Sequence, residues 1–455
     1  MQVHSNRSVR RAKVTTDGKR LVSHAGTALL AELADRIGLT AAMSEAMEEC
    51  GISWRIHDPG IVLTHLAVAM ADGADCLADF AALKEQQQLF GPVASVPTAW
   101  RVVQATSASE LRAIPEAVAR ARDAVWAKDP PGDLLIDIDA TLVTAHSEKQ
   151  DAAPTYKGGF GFHPLASWCD TTAEPLAGML RAGNAGANDT DDHLKLLETT
   201  IAALPAPWRA GHDRGDDPDE VQHDIVVRSD SAGASHDFVA ALASANLGFS
   251  IGFPVSPQVR DALLLAQEED WRPAIQVDGS RRPGAWVIEL TDLVDLSAWP
   301  EGTRLFSRRE RPHPGAQLSL FDTSAGFRHT CFITDTEWDP AEVLELRHRA
   351  HARVEDRVRN WKDCGIANLP FEGFCRNEAW MAVSLVAGCL LAWSQRLVFE
   401  GELAKAEPKT IRHRVLHVAA LLVRRHRGLV LRLDEDWPWV SDLATAFARL
   451  RAAFP

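Results

Sequence analysis

Three acidic residues of this chain have the types and positions needed to bind metal ions. Asp139 and Asp230 each end an apolar run with the composition of a buried strand, and Glu355 lies in the basic, helical stretch 347–362. Two carboxylates at strand ends and a third on a helix can hold two hard divalent cations. Such a pair stabilises both the attacking and the leaving oxygen of a phosphodiester. Nucleic-acid strand cleavage is therefore the leading hypothesis.

The first run contains two aspartates. Asp137 and Asp139 alternate with Ile136 and Ile138, so both carboxylates leave a strand on the same face. We prefer Asp139 as the ligand because it lies nearer the carboxyl end of the strand, which leaves Asp137 as a neighbour or a sharing ligand. The alternative for Asp139 and for Asp230 is an ordinary turn aspartate, since strand ends often carry one.

The helical stretch is the more specific signal. Its polar residues recur at offsets of 0, 3, 7, 11 and 14, and at 100° per residue they form one narrow stripe. The stripe comprises His348, His351, Glu355, Arg359 and Lys362. A helix face made only of polar and charged residues does not pack into a hydrophobic core. The alternative is a solvated face with i,i+4 pairs such as Glu355 with Arg359.

Composition and charge limit the partners and the location that this chain is expected to have. The chain has 455 residues, 46% hydrophobic content and a net charge of −14. That charge does not favour DNA binding, but basic residues cluster at 1–20 and 404–432, and local patches make phosphate contacts. There is no run of eighteen apolar residues and no signal-like N-terminus, so we expect no membrane partner. Seven cysteines without a CxxC pair suggest reduced thiols in a cytoplasmic protein, and association with the nucleoid is expected only if DNA is the substrate.

The pattern along the chain predicts an α/β protein with helical ends. Helical periodicity covers most of the first 128 residues, β-rich runs alternate with helices up to residue 256, and helices resume at Pro340. The predicted divisions are a flexible basic arm (1–24), a helical DNA-binding domain (25–128), the first part of the catalytic core (129–256), a β-rich insertion (257–336), core helices carrying Glu355 (337–400) and a basic helical C-terminal region (401–455, with a helix at 408–427).

Other chemistries fit the sequence less well. His413 and His417 have i,i+4 spacing but lack the glutamate of a zinc-protease helix. No GxxxxGK[ST] motif for ATP binding occurs, and the glycines at 158–161 fit no phosphate-loop spacing. A glycosidase also uses two carboxylates, but the arginines around Glu355 suit an anionic substrate.

Taken together, the sequence blocks resemble the DDE transposases of bacterial insertion sequences, within them the group numbered thirteen-eighty. Asp139-Ala140-Thr141 matches the first block, and residues 228–233 match the second with one extra small residue. In the third block, Glu355 and Lys362 fit, whereas His348 and His351 replace a tyrosine and an arginine. Further similar blocks are Asp72-Gly73-Ala74-Asp75, Tyr156-Lys157-Gly158, His163-Pro164, Arg181-Ala182-Gly183-Asn184, Asn368-Leu369-Pro370-Phe371 and Asn377-Glu378-Ala379-Trp380.

This resemblance implies a ribonuclease-H-like mixed sheet core with an inserted β subdomain. It also implies two Mg²⁺ or Mn²⁺ ions held by Asp139, Asp230 and Glu355. The partners would be double-stranded DNA, both terminal inverted repeats and target DNA, and a second copy of the chain in a synaptic dimer. The alternatives are a catalytically silent DNA-binding protein derived from a transposase and a metal-dependent nuclease without strand transfer. The expected DNA-binding residues are Tyr156, Lys157, His348, His351, Arg359 and Lys362.

Overall fold

The computed structural model describes residues 14–51, 56–312, 315, 317–425 and 428–455. Most of the basic residues of the predicted N-terminal arm, from Arg7 to Lys13, lie outside these residues. The rest of that arm includes a short strand, β1 (Leu21–Val22). The region that the sequence predicts to be helical contains α1 (Ala28–Arg36), α2 (Leu39–Ala46), α3 (Pro59–Asp72), α4 (Ala81–Lys84), α5 (Gln87–Phe90), α6 (Val96–Ala105) and α7 (Ala108–Trp126).

Helix α3 is the centre of this helical region. Asp58 caps its N-terminus by accepting a hydrogen bond from the backbone N–H of Ile61, and Pro59 supplies a preformed first turn. Gly73 ends the helix with φ of 117°, a conformation that favours glycine. Almost every side chain of α3 is buried, because the helix lies between its neighbours and a long helix of the C-terminal half.

The middle of the chain forms the main sheet. Its strands and helices are β2 (Leu134–Ala140), β3 (Val143–Thr144), β4 (Ala153–Pro154), β5 (Phe160–Phe162), β6 (Leu165–Cys169), β7 (Glu174–Met179), α8 (Thr190–Ala202), α9 (Ala206–Arg209), β8 (Ile225–Ser229), α10 (His236–Ser244) and β9 (Gly248–Phe253). Strand β2 is antiparallel to β6 and parallel to β8, which is parallel to β9. Strands β3, β5 and β4 form a small separate sheet.

The region expected as an inserted β subdomain instead lengthens the main sheet. It contains α11 (Pro257–Leu265), β10 (Arg272–Ile275), β11 (Arg281–Glu289), β12 (Arg304–Glu310), α12 (Leu320–Ala325) and β13 (Arg328–Thr334). Strand β13 pairs antiparallel with β9, so the nine-stranded order is β10-β11-β12-β13-β9-β8-β2-β6-β7. Pairing in this way covers the edge of β9, whose backbone groups would otherwise need another partner.

Helices return after β13 and cross one face of the sheet. They are α13 (Ala341–Arg349), α14 (Val354–Trp361) and α15 (Phe374–Leu397). A 3₁₀ turn, Ala350–Arg353, joins the first two, and a π turn, Lys362–Ile366, follows α14. Among the described residues, α15 is the one single helix long and apolar enough to cross a membrane by length and composition, and 72% of its most apolar window is buried inside the protein.

The C-terminal region differs from the predicted run of helices. It consists of α16 (Pro408–Ile411), β14 (Ala420–Arg425), β15 (Gly428–Leu433) and α17 (Val440–Ala453). The predicted helix 408–427 is wrong beyond the π turn Arg412–Leu416, because the following residues form a hairpin. Strand β14 also pairs with β1, so β pairing across the whole chain overrides the local helical preference.

A buried ion pair joins the helical region to the sheet. Arg122 on α7 donates to the carboxylate of Glu174 on β7 at 2.7 Å, and neither side chain is exposed to solvent. The indole N–H groups of Trp126 and Trp393 donate to the same carboxylate at 2.8 and 2.7 Å. The buried charges are therefore paired and hydrogen-bonded, which burial requires.

Candidate active site

The main sheet brings the two predicted aspartates together. Strands β2 and β8 are parallel neighbours, and Ile138 lies opposite Ser229 in their register. Asp139 and Asp230 are the next residues on the two strands, so they emerge side by side where adjacent strands lie about 4.8 Å apart. Asp139 is partly buried and Asp230 is exposed. Strand pairing alone therefore places both carboxylates at one end of the sheet.

Backbone contacts hold Asp230 in place. Its carboxylate accepts a hydrogen bond from the N–H of Ala232 at 2.9 Å and caps the 3₁₀ turn Ser231–Gly233. Gly252 on β9 lies against this turn, where a Cβ atom would come within 2.7 Å of the Ser231 nitrogen and 2.9 Å of the Asp230 carbonyl carbon. Sequence reasoning missed Gly252, although a glycine inside a strand signals close backbone approach.

The third acidic residue, Glu355, comes from α14. The pKa of Asp139 is raised to about 6, chiefly by burial and also by the negative charges of Asp230 and Glu355, while the hydrogen bond from Ala140 and the charge of the nearby His351 act in the opposite direction. The charge of Glu355 therefore reaches Asp139 even though the two residues are 216 positions apart in the chain. The structure thus brings Asp139, Asp230 and Glu355 to one site.

The donor set suits hard divalent cations. Three carboxylates supply only oxygen ligands, the kind that Mg²⁺ prefers, and their mutual repulsion favours a cation among them. The closest three-residue groups in the described part of the chain, with ligand atoms all within 4.8 Å of one another, lie elsewhere. The three carboxylates are therefore more widely spaced than a single-ion cluster, and sharing two ions is compatible with that spacing.

Asp137 has a different environment. It is fully buried, and Arg228 donates to both of its carboxylate oxygens at 2.8 Å. Burial opposes ionisation, but hydrogen bonds from His351 and Arg228 lower the pKa of Asp137 below its usual value. Arg228 also donates to Asp170 at 2.8 Å. These contacts pair the carboxylate of Asp137 with Arg228 and His351 inside the protein, and the choice of Asp139 as the metal ligand stays a prediction.

The two histidines of the predicted stripe face the sheet. His351 donates through Nδ1 to Asp137 at 2.8 Å. His348 forms a hydrogen bond with Ser250 at 3.0 Å, and its ring stacks on Phe332 at 4.5 Å. Burial lowers the pKa of His348 to about 3, so its ring is neutral near pH 7. These contacts account for both histidines within the protein, and their predicted DNA contacts stay predictions.

The remaining predicted DNA-binding residues lie towards the solvent. Tyr156 and Lys157 are exposed on the loop between β4 and β5. Burial lowers the pKa of Lys362, and the charge of Lys157 lowers it further, so these two lysines lie near each other. Arg359 is about half exposed and pairs with Asp356 and with Glu407. Exposed pairs of this kind are weak, so a phosphate could displace them.

Comparison with known proteins identifies a family, and distant structural similarity to solved structures is found as well. The model of the family described as transposase DDE domain, group 1, matches residues 2–454. Comparison with curated proteins gives no significant match. The chain is also similar, with 10% identity and a TM-score of 0.42, to a chain of a structure described as the cryo-EM structure of the piggyBac transposase synaptic complex with hairpin DNA. That similarity covers 85% of this chain and 80% of the other.

Proposed function

Because this chain belongs to the family of transposase DDE domains, group 1, we propose that it is a DNA transposase of the cut-and-paste type. It cleaves DNA at the terminal inverted repeats of an insertion sequence of the group numbered thirteen-eighty and joins the ends to target DNA. We also propose that β2 and β6–β9 form a ribonuclease-H-like core. The proposed substrate places the protein in the cytoplasm, at the nucleoid.

One observation carries this proposal. Asp139 and Asp230 lie side by side at adjacent strand ends, and the charge of Glu355 raises the pKa of Asp139. An enzyme maintains such repulsion at a cost in stability, which is typical of functional sites. In a non-catalytic DNA-binding protein, nothing would require three mutually repelling acids at this position.

The three acidic residues act together in the proposed mechanism, and their neighbours hold them in place. Asp139, Asp230 and Glu355 would hold two Mg²⁺ or Mn²⁺ ions. When bound, such ions stabilise charge on the attacking and leaving oxygens of a phosphodiester. The turn against Gly252 keeps Asp230 at its strand end, and the network of Asp137, Arg228 and His351 fixes the strand and the helix relative to each other.

We propose that DNA approaches the site along the rim formed by Tyr156, Lys157 and Lys362. Lys157 and Lys362 are close enough for their charges to interact, and a phosphate would relieve that repulsion. Arg359 would exchange its exposed carboxylate partners for a phosphate. A dimer holding two DNA ends is part of the proposal, because both ends of an element must be joined.

The test is an assay with a supercoiled plasmid carrying the intact element, Mg²⁺ and a target plasmid. Asp139→Ala, Asp230→Ala and Glu355→Ala should each abolish nicking and joining while DNA binding persists. Asp356→Ala is the matched control, because Asp356 is an exposed acid next to Glu355 on the same helix and should retain activity.

The outcomes separate the candidate functions. Nicking without joined products indicates a nuclease, and binding without nicking indicates a silent DNA-binding protein. Full activity of all three alanine variants would reject the acidic site itself. Loss of activity in Asp356→Ala as well would show that any charge change on α14 disrupts the protein, and the assignment of Glu355 would then fail.

A further inference from the structure

A second group of possible metal ligands lies far from the acidic site in sequence and joins three segments. His24 precedes the 3₁₀ turn Ala25–Thr27, Asp72 is the last residue of α3, and His417 follows the π turn Arg412–Leu416. One ligand atom from each lies within 4.8 Å of those from the other two. The group is independent of the three catalytic carboxylates.

We propose that His24, Asp72 and His417 form a binding site for a transition-metal ion of the zinc type. His24 Nδ1 lies 2.5 Å from Asp72 Oδ2, and His417 Nε2 lies 3.2 Å from Asp72 Oδ1. Two ligands of a tetrahedral zinc ion are about 3.3 Å apart, given bond lengths near 2.1 Å. The observed separations are therefore within about 1 Å of those a bound ion would impose.

The donor set indicates the class of metal. Two imidazole nitrogens and one carboxylate oxygen suit Zn²⁺ and its late first-row neighbours, whereas Mg²⁺ prefers oxygen ligands alone. The imidazole rings lie 4.2 Å apart and are tilted by 36°, so both can face the same point. Their side chains are 32% and 38% exposed, and that of Asp72 is 5% exposed. Solvent can therefore supply a fourth ligand.

Supporting hydrogen bonds orient the buried carboxylate. The hydroxyl of Thr27, itself fully buried, donates to Asp72 Oδ1 at 2.5 Å, which leaves Oδ2 directed at His24. Metal-binding carboxylates and histidines typically have such a hydrogen-bonding neighbour, which holds the ligand in its orientation. The competing arrangement is a hydrogen-bonded clasp without metal, because His417 Nε2 also lies 2.9 Å from the backbone oxygen of Asp72.

The location gives the ion a structural purpose. Next to the site, the N–H of Ala25 donates to the carbonyl of Val418 at 2.9 Å, and β1 pairs with β14. An ion bound here would tie the N-terminal segment, the end of α3 and the C-terminal hairpin together. Because this segment leads into the basic residues 1–20, the ion would fix the base of that arm.

The experiment uses the full chain, freed of metal with a chelator and titrated with ZnCl₂ and, separately, with CoCl₂. With MgCl₂ present to occupy the acidic site, we expect one zinc ion per chain by calorimetry and, with cobalt, the strong visible absorption of a four-coordinate site. His24→Ala and His417→Ala should each weaken zinc binding by about 100-fold or more, since even outer residues of zinc sites contribute about 10–100-fold. MgCl₂ should not compete.

Two control variants test the location. His413→Ala removes a nearby histidine whose contacts are with Trp437 and Trp439, and Cys76→Ser removes the thiol of the exposed cluster Asp75–Cys76–Asp79. Both should bind zinc like the wild type. Circular dichroism shows whether a variant folds, and Asp72→Asn replaces any variant that does not. Zinc binding that survives in Asp72→Asn or is lost in Cys76→Ser, or no binding by the wild type, would overturn the proposal.

Discussion

At the residue scale, two aspartates of the same strand have opposite electrostatic environments: Asp139 is repelled by neighbouring acids, and Asp137 is paired with basic residues. Asp139 keeps a raised pKa among Asp230 and Glu355, whereas Asp137, two residues earlier, has a lowered pKa because His351 and Arg228 bind it. The two aspartates differ in environment and not in type. This difference leads to two predictions about stability, both for the metal-free protein.

The first prediction is that Asp139→Asn stabilises the metal-free protein at pH 7. The folded-state pKa is raised from 3.8 to about 6, so the wild type loses stability as the pH rises through that interval. At about 1.4 kcal/mol per pKa unit, the gain should be about 2–3 kcal/mol. Urea unfolding in a chelator at pH 7 and at pH 4 measures it, and the gain should largely disappear at pH 4. A variant less stable than the wild type at pH 7 would contradict the prediction.

The second prediction concerns Arg228, whose removal leaves Asp137 and Asp170 buried without their counter-ion. Arg228→Met should lower the free energy of unfolding by about 3–5 kcal/mol. Arg120→Met is the control, because Arg120 pairs with Glu45 at the surface, where both side chains are more than half exposed, and such pairs contribute about 0–1 kcal/mol. Equal losses in the two variants, measured by urea unfolding, would show that burial does not distinguish these ion pairs.

At the element scale, the order of strands positions the acidic site. Parallel pairing of β2 with β8 sets Asp139 beside Asp230, and β9 supports the turn after β8 through Gly252. The insertion adds β13 to the far side of β9, so β9 is an interior strand with a fixed register. The site therefore depends on a backbone contact between neighbouring strands, which yields the third prediction.

The third prediction is that Gly252→Ala reduces nicking at least about tenfold, since displacement of a catalytic group by about 1 Å can cost about 100-fold. The added methyl group would meet backbone atoms of Asp230 and Ser231 and push the turn outward. Gly248→Ala, at the other end of β9, is the control, because its nearest contact would be 3.2 Å, to a side chain. Thermal unfolding of both variants checks that the sheet persists. Normal nicking by Gly252→Ala would show that the position of Asp230 tolerates the shift.

At the scale of the whole molecule, a segment near the start of the chain and a segment near its end form one small sheet. Strand β14 lies between β1 and β15, and the exposed Arg424 and Arg425 end β14. The exposed Lys19 and Arg20 directly precede β1. Basic residues that are far apart in the sequence thus lie in one part of a molecule whose net charge is −14.

The fourth prediction is that affinity for DNA falls steeply with salt despite this net charge. Each phosphate contact contributes about 0.9 to the slope of log affinity against log salt concentration. Deletion of residues 1–20 should therefore reduce the steepness of this slope by several units at most. The slope is obtained by measuring DNA affinity at salt concentrations from about 50 to 200 mM. Replacing the six basic residues of 1–20 by glutamine, with the arm retained, should reproduce the deletion. An unchanged slope in both variants would show that the arm makes no phosphate contacts.

The sequence by itself determined the local features. Apolar runs ending in acids predicted strands close to β2 and β8, and the spacing around Glu355 predicted the helical segment carrying it. These predictions succeed because the periodicity of a strand or helix depends only on residues that are close together in the sequence. The family resemblance to DDE transposases also came from short blocks in order, and the match over residues 2–454 supports it.

Only the tertiary structure decided which distant residues meet. It made the insertion part of the main sheet, turned the predicted helix around Ala420–Arg425 into a strand, and set His351 against Asp137. It also brought His24, Asp72 and His417 together. None of these outcomes is encoded in a local period, because each depends on pairing and packing between segments far apart in the chain, where burial and hydrogen bonding outweigh local propensity.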